Sequence, residues 1–324
     1  MNIQCLPLEK SIGHILIHNL VDQTDRRLLG KGRSLKPADL PTLQASGQDR
    51  VYVAVLADDD VGENEAARQL GSVVSAGPVR VSKATTGRVN FIAEKAGVFK
   101  VNPESLLALN EISGVTLTTL ANNTVVSTKK ILATFKIIPY AIPQKTLEQA
   151  YNTLIAHQPL ITINPFVIQQ AMLITIGRET IREKVIGGFT PPITERLTSY
   201  GTSLISGPYV SESVLEISEA IKTALSSDAD LIIVAGETST MDENDIIPQA
   251  IKHVGGEIIQ HGVPVDPGHL LMLGYCQDKP IVGAPGCARS LSHNVIDMIL
   301  PRLVTGERLT RRDLVALGHG GYLK

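Results

Sequence analysis

Three glycine-containing loops carry the residues of this chain best suited to chemistry. The first reads Gly236, Glu237, Thr238, Ser239, Thr240, Met241, Asp242, Glu243, Asn244, Asp245, directly after an apolar run. Hydroxyls there can hold phosphate oxygens, and carboxylates can hold Mg²⁺ or the N–H edge of a heterocycle. Taken singly, Thr238, Ser239 and Asp242 are ordinary turn and cap residues, whereas the loop as a unit favours ligand binding. Asp242 and Asp245 are the candidate pair for positioning a metal or doing catalytic work.

The second loop is Asp266-Pro267-Gly268, where Asp266 suits orienting a ligand as well as it suits plain turn chemistry. The third is Pro285-Gly286-Cys287-Ala288-Arg289-Ser290. Gly286 allows close backbone approach, Arg289 offers a charged fork, and Ser290 places a hydroxyl near the next helix start. Cys287 fits two roles, a thiolate stabilised at a helix start or a small buried hydrophobe. Gly177, at another strand end, joins the ligand-contacting set. Bare amides, hydroxyls and a guanidinium together make phosphate the natural guest.

Such loops need a rigid frame. Beyond Pro165 the pattern alternates: strand 171–176, helix near 193–200, strand 202–206, helix 214–225 opened by the capping-box spacing of Ser213 and Glu216, and strand 231–235. After the first loop come a helix begun around Pro248 and stopped by Gly255-Gly256, strand 280–284, and helix 292–304 with Pro301 near its end. The alternation implies a parallel sheet, and ligands bind outside the carboxyl ends of such strands.

The preceding half reads as strand-rich α+β. Strands are expected at 13–19, 51–56, 114–120 and 131–138, and helices at 37–46, at 63–70 and after Asn102-Pro103. The acidic run Asp58, Asp59, Asp60 resembles a Mg²⁺ site, but acids before a helix more often complement its dipole. A helix over 146–157 bridges the halves, and His157 at its end is given no role. The boundary is placed at 158/159, separating an N-terminal region 1–158 from an α/β domain 159–324.

Composition narrows the partners. The chain has 324 residues, 43% apolar and 19% charged, with a formal net charge of −2, 4% aromatics and no Trp. That balance is globular, and it offers neither positive charge nor stacking surfaces for nucleic acid. No apolar run approaches the length that spans a bilayer, and Met1 to Lys10 lacks a signal-peptide pattern, so a cytoplasmic protein is expected. Cys5, Cys276 and Cys287 show no CxxC spacing, which indicates neither a disulfide framework nor a zinc site.

The run from Leu231 to Gly256, with Gly262-Val263-Pro264-Val265-Asp266-Pro267-Gly268 and Gly283-Ala284-Pro285-Gly286-Cys287-Ala288-Arg289-Ser290, resembles the molybdopterin-binding superfamily. Its members include molybdopterin adenylyltransferase, molybdopterin molybdotransferase and gephyrin. The chain most resembles a bacterial branch with a molybdotransferase-like region, sometimes fused to a molybdenum cofactor nucleotidyltransferase. That likeness extends to Lys31-Gly32-Arg33, Asp59-Asp60-Val61-Gly62-Glu63, Gly87-Arg88-Val89-Asn90 and Ala133-Thr134-Phe135-Lys136-Ile137-Ile138-Pro139, so it covers nearly the whole chain. No further Gly-rich nucleotide loop is present up to Lys324.

The resemblance implies a three-layer α/β/α C-terminal domain with a mostly parallel sheet, and molybdopterin or its nucleotide form as ligand. It also implies Mg²⁺ or molybdate as companions, a homodimer, and a molybdoenzyme or nucleotidyltransferase as partner. Cys287 could then bind molybdenum through sulfur. The chain departs from active members by carrying Glu237 where a second Gly is usual and Asn244 where an Asp is usual. An amide cannot act as a base, although the flanking Asp242 and Asp245 could substitute. Like charges about 4 Å apart repel by roughly 4 kcal/mol at an effective dielectric near 20, so a phosphate beside Glu237 needs help.

The leading expectation is a protein of molybdenum cofactor biosynthesis that assists molybdate insertion or passes the cofactor on. A non-catalytic pterin carrier is the second reading. A nucleotide-anhydride hydrolase of the competence-damage type is the third.

Overall fold

Runs such as Leu231-Ile232-Ile233-Val234-Ala235 are apolar on both sides of the pleat, which suits strands covered on two faces. The computed structural model describes residues 1–237 and 240–323. Thr238 and Ser239, singled out above, lie outside the described residues. Contacts divide the chain into two compact units, Met1–Lys95 with Phe99–Ile163, and Ala96–Val98 with Asn164–Lys324.

The first unit is built of short antiparallel sheets and helices. Strands Asn2–Pro7, Arg50–Val55 and Ile15–Leu16 form one sheet, with the middle strand between the other two. The strand expected over 13–19 is confined to Ile15–Leu16, because Gly13 adopts a positive φ of 91° that ends the extended run. A four-stranded sheet joins Val115–Thr119, Ile131–Ile137, Arg88–Ala93 and Val79–Val81. Helix Pro103–Asn110 begins as its sequence foretells, with the Asn102 side chain accepting from the amides of Glu104 and Ser105 at 3.1 Å each. In the acidic run, Asp60 accepts from the Ala57 amide and pairs with the Met1 amine, both at 2.7 Å.

The second unit carries the sheet that matters for the loops. Its strands are β1 (Gln170–Ile176), β2 (Ser203–Val210), β3 (Leu231–Gly236), β4 (Glu257–His261), β5 (Met272–Cys276) and β6 (Lys279–Gly283), in the order β2-β1-β3-β6-β5-β4. The first four in that order run parallel, and β5 is antiparallel to both its neighbours, β6 and β4. Side chains alternate as a strand requires: Leu231, Ile233 and Ala235 enter one core, Ile232 and Val234 the other.

Helices α1 (Arg182–Ser199) and α4 (Val295–Val304) cover the first face. Helices α2 (Val214–Leu225) and α3 (Ile246–His253) cover the second, completing an α/β/α sandwich. No helix among the described residues is long and apolar enough to cross a membrane.

Three local expectations change. Helix α1 starts at Arg182, well before 193, and runs through Pro191 and Pro192. Burial of Val185, Phe189, Pro192, Ile193, Arg196 and Leu197 along one stripe outweighs the poor helix propensity of its Gly and Pro residues. Ser213 makes no capping bond with its side chain; the Glu216 carboxylate reaches past it and accepts from the Ser211 amide at 3.0 Å. Helix α4 is capped by Asn294, whose reciprocal partner is Asp297, so it begins three residues after Ser292.

Candidate ligand-binding loops at the carboxyl edge of the sheet

Strand register decides where the loops go. Ile176 lies opposite Gly236, and Val234 opposite Gly283, so Gly177, Glu237 and the segment after Ala284 all leave from one edge. Strand β5 runs the other way, and Met272 pairs with Gly283. The Asp266-Pro267-Gly268 segment therefore enters the sheet at the same edge that the other loops leave.

Side chains tie these segments together. Arg289 donates from Nη2 to the Gly236 carbonyl at 3.2 Å, and its guanidinium lies 4.6 Å above the Phe189 ring of α1. The third loop is thus fastened to the start of the first. Gly268, with φ of +138°, sits against Val295 so closely that a Cβ would lie 2.2 Å from Val295 Cγ1. The Val295 amide donates to the Pro267 carbonyl at 3.2 Å, which fastens the second loop to the helix that follows the third.

The third loop is held from below by a residue that sequence reasoning missed. Arg196, 5% exposed, pairs with Asp297 at 2.7 Å and donates to the carbonyls of Ser290 at 2.8 Å and Ser292 at 3.3 Å. Nothing local in the sequence marks it, since Asp297 is 101 residues away. Asn294 adds a bond from its amide to the Cys287 carbonyl at 3.3 Å. Gly286 and Arg289 are exposed, Pro285 and Ala288 are buried, and the Ser290 hydroxyl accepts from the Ser292 amide at 3.0 Å.

Glu237 is not bare. Arg178 grips both its carboxylate oxygens, with Nη2 at 3.0 and 3.1 Å and Nε at 3.4 Å, while the Glu237 amide donates to the Ile176 carbonyl at 3.2 Å. The repulsion expected against an incoming phosphate is therefore offset by a guanidinium from the next strand. Arg178 directly follows Gly177, a strand-end position that could have flagged it. Its own carbonyl accepts from the Tyr209 hydroxyl at 2.7 Å, and Gly177 is needed there because a Cβ would come within 2.7 Å of that oxygen.

The remaining expected residues are engaged in shaping the chain. Asp242 Oδ1 accepts from the Asn244 amide at 2.8 Å. Asp245 caps α3, taking the Ile246 amide at 2.8 Å and the Met241 amide at 3.1 Å. The carbonyl of Asn244 accepts from Gln249 Nε2. This donor set is that of a helix start, and among the described residues no three His, Cys, Asp or Glu side chains gather as a metal site.

Asp266 is exposed, 3.8 Å from His269 Nδ1, and its backbone pairs with Gly321 and Leu323. Burial pushes the Cys287 thiol up, so the stabilised thiolate considered for a helix start is not what this site favours.

Residues 172–305 match a family described as "Probable molybdopterin binding domain", and residues 5–55 match a domain of unknown function. A 66-residue stretch is 38% identical to a protein of Methanocaldococcus jannaschii described as a "Putative molybdopterin biosynthesis protein", over 20% of this chain and 16% of that one. Among solved structures, the molybdopterin biosynthesis MoeA protein of Pyrococcus horikoshii aligns with 97% of this chain and 75% of its own, at 14% identity and a TM-score of 0.35. The molybdopterin biosynthesis enzyme MoaB of Thermus thermophilus aligns with 43% of this chain and 98% of its own, at 16% identity and a TM-score of 0.31. Over residues 172–305, this chain is similar to the family described as a probable molybdopterin binding domain.

Proposed function

We propose that the C-terminal unit binds molybdopterin, or its nucleotide form, at the carboxyl edge of its sheet and serves molybdenum cofactor assembly. The observation that carries this reading is Arg289, which reaches from the third loop to Gly236 of the first with one N–H, leaving other donors of its fork for an anion. Gly177, Glu237, Gly268 and Gly286 bring backbone to the same edge, and the Thr238 and Ser239 hydroxyls belong to the proposed phosphate set.

The test is an anaerobic titration of the full chain with molybdopterin, followed by pterin fluorescence. Saturable binding is expected, weakened at least about tenfold in Arg289→Ala, the scale of one lost charge-assisted hydrogen bond. Absence of saturable binding by the unaltered protein refutes the reading.

Carriage without turnover is favoured over molybdate insertion by the local chemistry. Asn244 is an amide, Asp242 and Asp245 hold backbone N–H groups, and the Cys287 thiol is disfavoured as a thiolate. Carriage predicts tight binding with no molybdate-dependent formation of metallated cofactor. Turnover that disappears in Asp242→Asn or Asp245→Asn would instead make those carboxylates catalytic.

A further inference from the structure

We infer that Arg178 is an anion-binding residue of this edge whose guanidinium is engaged by Glu237, so that an incoming phosphate must displace a carboxylate of the protein itself. The inference rests on the reading that this edge takes a phosphorylated ligand. It adds the residue that grips the anion and the residue that competes with it.

The geometry is that of a stand-in. Arg178 leaves the end of β1 and Glu237 the end of β3, strands paired so that Ile176 faces Gly236. The fork meets two carboxylate oxygens from one nitrogen at 3.0 and 3.1 Å. A phosphate presents an equivalent pair of acceptor oxygens to the same planar group. The side chains are 66% and 32% exposed, and an ion pair this open to water adds little to folding, so it can part when a stronger anion arrives.

The frame behind the pair does not need to move with it. The Arg178 carbonyl is fixed by the Tyr209 hydroxyl, and the Glu237 amide by the Ile176 carbonyl, leaving only the two side-chain heads to exchange partners. Arg182, the neighbouring cation, is already held by Glu179 at 3.3 Å. Arg289 holds the carbonyl of Gly236, so two guanidinium groups touch the consecutive residues 236 and 237. Release of Glu237 leaves both beside one corner of backbone, an arrangement suited to a phosphate monoester or a diphosphate rather than to a neutral group.

The experiment is calorimetric titration of the full chain with inorganic pyrophosphate at low salt, comparing the unaltered protein with Glu237→Gln, Arg178→Gln and the double variant. Glu237→Gln should tighten binding by about tenfold, Arg178→Gln should weaken it by about tenfold, and the double variant should bind no tighter than Arg178→Gln. An unchanged affinity in Glu237→Gln, a gain that survives in the double variant, or no pyrophosphate binding by either the unaltered protein or Glu237→Gln overturns the inference. Thermal melts confirm folding of each variant, and Glu237→Ala repeats the test if the glutamine keeps its bond to Arg178.

The same proteins titrated with molybdopterin separate the two claims. Pyrophosphate gained in Glu237→Gln without molybdopterin binding removes the pterin reading and keeps the role of Arg178. Molybdopterin binding with both affinities indifferent to Glu237→Gln removes the role of Arg178 alone.

Discussion

Gly268→Ala should unfold the C-terminal unit at a markedly lower temperature, while Gly187→Ala should not. At Gly268 the backbone has φ of +138°, and a Cβ would lie 2.2 Å from Val295 Cγ1, 2.4 Å from Val295 Cβ and 3.2 Å from the Val295 nitrogen. Val295 is fully buried and opens α4, so it has nowhere to retreat. Strained φ costs about 1–3 kcal/mol. Overpacking a close contact costs about 1–3 kcal/mol more, for a total of roughly 2–6 kcal/mol.

For a unit of this size each kcal/mol moves the midpoint by about 2–4 °C, so a fall of at least about 4 °C is expected. At Gly187, inside α1, an added Cβ meets nothing within 4 Å. The alanine should stabilise by up to about 1 kcal/mol through helix propensity. Calorimetry of the full chain reads both variants, and hydrogen exchange of peptides from 170–305 assigns the transition, since two units can melt separately. A Gly268→Ala midpoint within about 1 °C of the unaltered protein would refute the claim that this glycine locks the second loop against α4.

Two further predictions concern charges. Arg196→Met leaves Asp297 without its buried partner and should destabilise by about 3–5 kcal/mol by urea titration, and molybdopterin binding should weaken with it because Ser290 and Ser292 lose their anchor. Asp313→Asn tests the acid limb of stability. Burial acts to raise the Asp313 carboxyl, but the Thr310 hydroxyl and amide and the Arg302 guanidinium outweigh it and hold the group at about 2. A folded value below the unfolded one means stability that is present above about pH 4 and lost as pH falls toward 2. Melting midpoints of Asp313→Asn should therefore lie below the unaltered protein near neutrality and converge with it near pH 2; a constant gap across that window would contradict the assignment.

Four of the six strands of the second unit were legible because local composition encodes them; Glu257–His261 and Met272–Cys276 were not among the expected strands. Apolar runs such as 231–235 and 280–284 could only be covered strands, and Asn102-Pro103 announces a helix start within four residues. Where local signals conflicted with packing, the packing prevailed. Helix α1 crosses Gly187, Gly188, Pro191 and Pro192 because its buried stripe is contiguous only in three dimensions. The Ser213 and Glu216 spacing satisfied a pattern, yet the carboxylate found a different amide.

The loops show the same division more sharply. By itself the sequence determined that three segments rich in Gly, Asp, Ser and Arg end or begin strands, because turn chemistry and hydrophobic periodicity act over a few residues. Only the tertiary structure decided that they share one edge, since that follows from the parallel register of β1, β3 and β6 and the reversed direction of β5. It also decided that Glu237 is answered by Arg178, 59 residues distant, and that Arg196 carries the third loop from 94 residues away. Ion pairs and buried hydrogen bonds depend on distance through space, which spacing along a chain does not encode.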